Sequence, residues 1–102
     1  MAAIDLIRQA RNRIADKKHW TTGALARDAY GHRVGPKSDE AVCWCALGAL
    51  RRGAKEASDV SRACVLLGHS SAWLSEINDR LGHQAVLDMF DKAINEEETP
   101  CP

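Results

Sequence analysis

The sequence has no excess of either charge: fourteen Lys/Arg stand against fourteen Asp/Glu. That balance argues against a protein built to coat nucleic acid or an acidic membrane. No uncharged stretch approaches the roughly 20 residues of a membrane span; the run 41–50, "AVCWCALGAL", holds ten. The N-terminal "MAAIDLIRQARNR" meets charge at Asp5 and Arg8 before an apolar stretch can develop, so no secretory leader is expected. Cys43, Cys45, Cys64 and Cys101 lack the loop-rich spacing of a secreted disulfide scaffold, which points to reduced thiols in a cytoplasm. No segment alternates with period two for long enough to make a sheet, and there is no internal repeat, linker or low-complexity tract. A phosphate loop, a metal constellation and a complete catalytic triad are likewise missing.

What is present is helical periodicity in a chain of 102 residues, 45% apolar and 27% charged, enough for one domain with a modest core. Ile4, Ile7, Ala10 and Ile14 recur every three or four residues and predict a first helix over 3–17. A second, short helix is expected around Leu25, Ala26 and Ala29, capped by Thr21 or Thr22 and stopped by Gly31. The stretch 31–38, "GHRVGPKS", reads as an irregular loop with room for one brief hairpin. Ser38 then caps a third helix over 38–57, and Ser58 a fourth that Gly68 closes. A fifth ends near Asn78, where Asn78 and Asp79 supply turn and capping chemistry. The last, over 83–95, carries the stripe Val86, Leu87, Phe90, Ala93 and Ile94. The expected architecture is all-α: a compact single-domain bundle of five to six short helices over 1–97, with a frayed acidic tail over 98–102.

The decapeptide decides the functional reading. On a helix, Cys43 and Cys45 point about 160° apart and cannot share a disulfide or a metal. Its apolar surround favours a buried central helix, with Gly48 and Ala49 letting a neighbouring helix approach closely. The alternative displays Trp44 beside Arg51 and Lys55, the composition of a binding hot spot. Cys45 is also a candidate nucleophile, with His19, His69 or His83 as base and Asn78 or Asp79 as orienting group. Cys64 and His69 straddle a helix end and are candidates for half of a zinc site. Direct nucleic-acid binding is not expected, because the connection from second to third helix is too long for a helix-turn-helix and the last helix is acidic. The charge is split: 1–58 holds eleven Lys/Arg against six Asp/Glu, and 59–102 holds three against eight, about +5 and −5.

Taken in order, Trp20-x-x-Gly23-Ala24, "WCALGAL" at 44–50, Asn78-Asp79, and Val86-Leu87 with Asp91, Ala93 and Ile94 resemble a family of small bacterial and phage proteins known as a domain of unknown function. The likeness spans about 14–94. It departs at Ile77, where the family leads one to expect tryptophan, and at Thr21, where relatives often carry cysteine. It singles out Cys45 rather than Cys43 as the motif thiol. These readings together favour a non-enzymatic protein-interaction or regulatory module, binding a protein partner or itself and needing no cofactor. The rivals are a Cys45-dependent hydrolase or transferase and a zinc-stabilised module.

Overall fold

The computed structural model describes residues 2–98. Five α-helices dominate: α1 (Ala3–Arg13), α2 (Ala46–Gly53), α3 (Ala57–Leu67), α4 (Ser71–Leu81) and α5 (His83–Glu98). Between α1 and α2 lie a 3-10 turn (Lys17–His19) and three two-residue strands, β1 (Ala26–Arg27), β2 (Arg33–Val34) and β3 (Cys43–Trp44). The fold is therefore mostly helical but not purely α.

α1 forms where its periodicity predicts. Leu6, Ile7, Ala10 and Ile14 are buried, and Asp5 in the first turn with Arg11 and Arg13 in the last suit the helix dipole. It ends at Arg13, earlier than expected, and Asp16 accepts from the Lys18 amide at 3.0 Å to set the following turn. Helix α1 packs against α2, α3 and α5, and the shared core gathers Leu6, Ile14, Leu50, Leu74, Val86 and Phe90.

The second helix expected around 25–29 is absent. Its backbone groups go to a sheet of order β2-β1-β3, antiparallel throughout, with Ala26 opposite both Val34 and Trp44. Asp28 turns the chain between β1 and β2, accepting from the Tyr30 and His32 amides at 2.9 Å each, with Gly31 at φ +83. A brief hairpin does form, but it pairs β1 with β2 and only its second strand lies within 31–38, where the sequence leaves room for a self-contained one; it also recruits a third strand that period-two alternation did not betray. Two residues per strand are too few to show a period.

The third helix expected over 38–57 is also corrected. Ser38 does not cap it; residues 41–45 run extended, and α2 begins only at Ala46. Val42, Cys43 and Trp44 suit a half-buried strand better than a helix. Their neighbours complete the ladder: the Val42 amide donates to the Arg27 carbonyl at 2.9 Å and the Cys45 amide to the Leu25 carbonyl at 3.2 Å. The run is uncharged because a half-buried strand is followed directly by a buried helical turn.

Later boundaries shift less. Asp59, not Ser58, seals the start of α3 by accepting from the Lys55 and Glu56 amides at 3.1 and 3.0 Å. Gly68 closes that helix at φ +75 as expected. Ser70 caps α4, which continues past Asn78, so Asn78 and Asp79 are not turn residues. Helix α5 runs through Glu98; the rest of the expected tail, Cys101 included, lies outside the described residues.

Candidate functional site

Three of the sequence motifs meet at the start of α2. Asn78, 0% exposed, reaches from α4 and uses its whole amide. Its Oδ1 accepts from Trp20 Nε1 at 2.7 Å and from the Ala46 amide at 2.9 Å. Its Nδ2 donates to the Thr21 carbonyl at 2.9 Å and to Asp79 Oδ1 at 3.0 Å. The two donors facing Oδ1 fix which way the amide points. Asp79 Oδ1 also accepts from the Gly23 amide at 3.1 Å. The strap 20–25 is thereby tied to α4 and laid across α2. Gly48 makes the crossing possible: a Cβ there would sit 1.8 Å from the Leu25 carbonyl oxygen. The small residues of the decapeptide thus admit a backbone strap, where the sequence reading expected a helix.

Cys45 is the N-cap of α2. Its Sγ accepts from the Gly48 amide at 3.3 Å, and the residue is 4% exposed. Burial pushes the thiol above its ordinary 9.0, and the Gly48 amide offsets only part of that. The opposite is needed for a nucleophile, which works as an accessible thiolate. The helix-start amides that could hold an oxyanion are also taken, Ala46 by Asn78 and Gly48 by Cys45 itself.

No histidine meets this thiol. His19 Nδ1 donates to the Val42 carbonyl at 3.0 Å, and His83 Nε2 to the Ile14 carbonyl at 2.6 Å while its ring leans on Trp20 at 5.3 Å. His69 is exposed and touches Cys64 through its backbone, its amide donating to the Cys64 carbonyl at 3.2 Å. Among the described residues no cluster of three or more His, Cys, Asp or Glu could hold a metal, so Cys64 and His69 gain no partners. The candidates Asn78 and Asp79 do come close to Cys45, but in a network of hydrogen bonds to the indole and backbone of the strap and α2 that contains no histidine.

Trp44 is 7% exposed and donates from Nε1 to the Pro36 carbonyl at 2.9 Å. Arg13 and Arg52 lie over its ring, with guanidinium carbons 5.2 and 5.7 Å from the centroid. The helical reading grouped Trp44 with Arg51 and Lys55. Because the helix starts after Trp44, the register changes, and Arg52 rather than Arg51 meets the indole.

Arg51 and Lys55 instead line an open groove of about 810 Å³ between the 35–38 loop, the end of α2, α3 and the start of α4. Lys37 joins them, its Nζ donating to the Ala54 carbonyl. Glu56 is the one carboxylate in the lining, and Ala54, Val60 and Cys64 supply apolar wall. Burial raises the Cys64 thiol above its ordinary range. Neither Arg51 nor Lys55 has a carboxylate partner among the described residues. Lys37, Arg13 and Arg52 were missed in the sequence; the adjacent Arg51-Arg52 pair was the available hint, and only the strand–helix junction divides its two members between groove and indole. Helix α5 presents a second open furrow lined by Asp88, Asp91, Lys92, Asn95 and Glu96.

No helix among the described residues is long and apolar enough to cross a membrane. No curated protein and no solved structure matches the chain. One family model, described as a family of unknown function (DUF6197), matches residues 1–96. The residues that knot the strap to α2 and α4 all fall within that match, and the chain belongs to this family.

Proposed function

We propose that the protein is a non-enzymatic protein-interaction module of bacterial or phage origin, acting in the cytoplasm, whose working surface is the basic groove. One observation carries this reading: Lys37, Arg51 and Lys55 face a single carboxylate, Glu56, around a concavity with apolar walls. Such a surface favours an acidic segment with a few apolar side chains, since rim cations steer it in and the walls hold it. The thiol-hydrolase alternative loses support because Cys45 is buried, proton-retaining and without a base. The zinc alternative lacks ligands beyond Cys64 and His69 among the described residues.

The acidic segment can come from a second copy. Helix α5 offers Asp88 and Glu96 along one furrow, with Lys92 close to Glu96, while Asp91 in the same furrow is already held by Arg11 at 2.9 Å. Contact between this furrow and the groove joins unlike surfaces and is head-to-tail.

The test is anisotropy with fluorescent peptides that are Glu-rich, neutral or Lys-rich, alongside sedimentation of the protein alone. Binding of the Glu-rich peptide that weakens with salt and is lost in an Arg51→Glu/Lys55→Glu double variant supports the groove. Equal binding of all three peptides, or an unchanged double variant, sinks it. Salt-sensitive self-association abolished by the same variant identifies a second copy as the partner.

A further inference from the structure

The chain has three tryptophans, and two of them serve the fold. Trp20 and Trp44 donate their indole N–H groups to Asn78 Oδ1 and to the Pro36 carbonyl. Trp73, in the first turn of α4, is instead 60% exposed. Leu81, at the end of the same helix, is 68% exposed, and Ile77 between them is half-buried. The three stand four residues apart, so they form one apolar stripe along α4. Ser71, which lines the groove, points about 160° away from Trp73. Stripe and groove are therefore separate faces of the molecule. Apolar side chains scattered singly over a surface need no explanation, but an aligned set with a tryptophan at one end has the composition of a protein contact.

The charges beside the stripe indicate what covers it. Glu76 and Arg80 lie about 100° and 60° from Ile77, both on the same flank. They pair with each other, Arg80 Nε to Glu76 Oε2 at 2.7 Å, and their side chains are 49% and 78% exposed. The acid stands nearer the helix start and the base nearer its end. A second α4 laid antiparallel about Ile77 sets Trp73 against the partner's Leu81 and Ile77 against the partner's Ile77. It also brings Glu76 beside the partner's Arg80. A two-fold axis keeps the two charged flanks on one side of the contact, so both acid–base pairs form together. A parallel second copy would set acid against acid and base against base, which disfavours it.

We propose that α4 is a homodimer face, in which two copies pair antiparallel through Trp73, Ile77 and Leu81 while Glu76 and Arg80 exchange partners across the interface. Helix α4 has only 11 residues. The contact is accordingly small, and Kd is expected at roughly 10–100 μM. Unlike a head-to-tail contact through the groove, this pairing is closed and stops at two copies.

Sedimentation equilibrium of the wild-type chain over concentrations bracketing that Kd tests the face. A monomer–dimer equilibrium is expected, and Trp73→Ser weakens it at least ~10-fold. Glu76→Arg makes the flank wholly basic and Arg80→Glu makes it wholly acidic, so each variant alone is expected to self-associate at least ~10-fold more weakly. Mixed one to one, these two variants are expected to form a heterodimer as tight as the wild-type dimer. All three substituted side chains are exposed, so the urea midpoint at a monomeric concentration confirms that each variant is folded. A wild-type chain that stays monomeric throughout overturns the proposal and leaves the stripe to a foreign partner. A dimer that Trp73→Ser leaves intact, or a mixture of the two charge variants that does not associate, overturns it as well. Self-association that survives Trp73→Ser but is lost in the Arg51→Glu/Lys55→Glu variant also overturns it, and assigns the contact to the groove.

Discussion

The two ends of α2 treat polar groups in opposite ways. At its start, the Asn78 amide makes four hydrogen bonds, Asp79 holds the strap, and the first-turn amides are spoken for. At its end, Arg51 and Lys55 face an open groove with no ionic partner among the described residues, and Arg52 shares Trp44 with Arg13, whose Nε has no acceptor among them. The first arrangement is complete without any other molecule. The second is not. The motifs that looked most chemical in the sequence serve the fold, and the plain lysines and arginines beside them carry the unspent chemistry. A buried polar network that is fully satisfied makes a structure unique; charges left unanswered at a concave surface are the ones available for binding.

The strongest way to break this contrast is to cut the knot. Asn78→Ala strands Trp20 Nε1 and the Ala46 amide, each a donor without an acceptor. At about 1–3 kcal/mol per stranded buried group, the loss is on the order of 4 kcal/mol, read as a lower urea midpoint. A loss below about 1 kcal/mol would mean that the knot is decoration.

Gly48→Ala comes next. On propensity alone, alanine should favour the helix by about 0.8–1.0 kcal/mol. The added carbon instead meets the Leu25 oxygen at 1.8 Å, and both partners there are backbone. We expect about 2–3 kcal/mol of destabilisation by the same measurement, and a stabilised variant would refute the strap's close approach.

A third, smaller effect concerns pH. Because burial raises the folded Cys45 thiol above 9.0, the folded state keeps a proton that the unfolded chain releases first. This contribution is intact below pH 9.0 and fades as pH rises through the folded value. Cys45→Ala is expected to flatten that alkaline decline while losing about 1 kcal/mol of capping at neutral pH. Iodoacetamide should modify Cys64 and spare Cys45 until the protein unfolds. Rapid Cys45 labelling near pH 6 would return the thiol to the list of reactive groups.

The smallest stability effect sharpens the other side. Arg51→Glu and Lys55→Glu, singly, should move the urea midpoint by no more than about 0.5 kcal/mol equivalent, since neither side chain has an ionic partner among the described residues. A large shift would make these side chains structural.

Long, strongly periodic segments were readable. α1 and α5 announce themselves through Ile7, Ala10, Val86 and Phe90, whose burial follows from spacing alone. Residues 20–45 were not, because their conformation is set by partners far along the chain. A strand of two residues has no visible period, and Leu25, Ala26 and Ala29 look helical until the Cys45 and Val42 amides claim the carbonyls of Leu25 and Arg27. The candidate site suffered most from this. Placing Trp44 on a helix put it with Arg51, whereas the strand–helix junction at Cys45 gives it Arg52. Asn78 and Asp79 were noticed for the right chemical reason, as side chains that bond backbone, but their targets lie beyond any local pattern.

Those targets also set an order of events. The Asn78 side chain reaches back 32 residues to Ala46, 57 to Thr21 and 58 to Trp20. During synthesis at about 5–20 residues per second, the strap and the first turn of α2 are made seconds before the residue that holds them. Until α4 leaves the ribosome, the Trp20 indole N–H and the Ala46 amide must rely on water. The first half of this chain can therefore form its helices early, but it waits for the second half to fasten them, and pulse-labelling of the Ala46 amide on arrested chains would show protection appearing only once α4 has emerged.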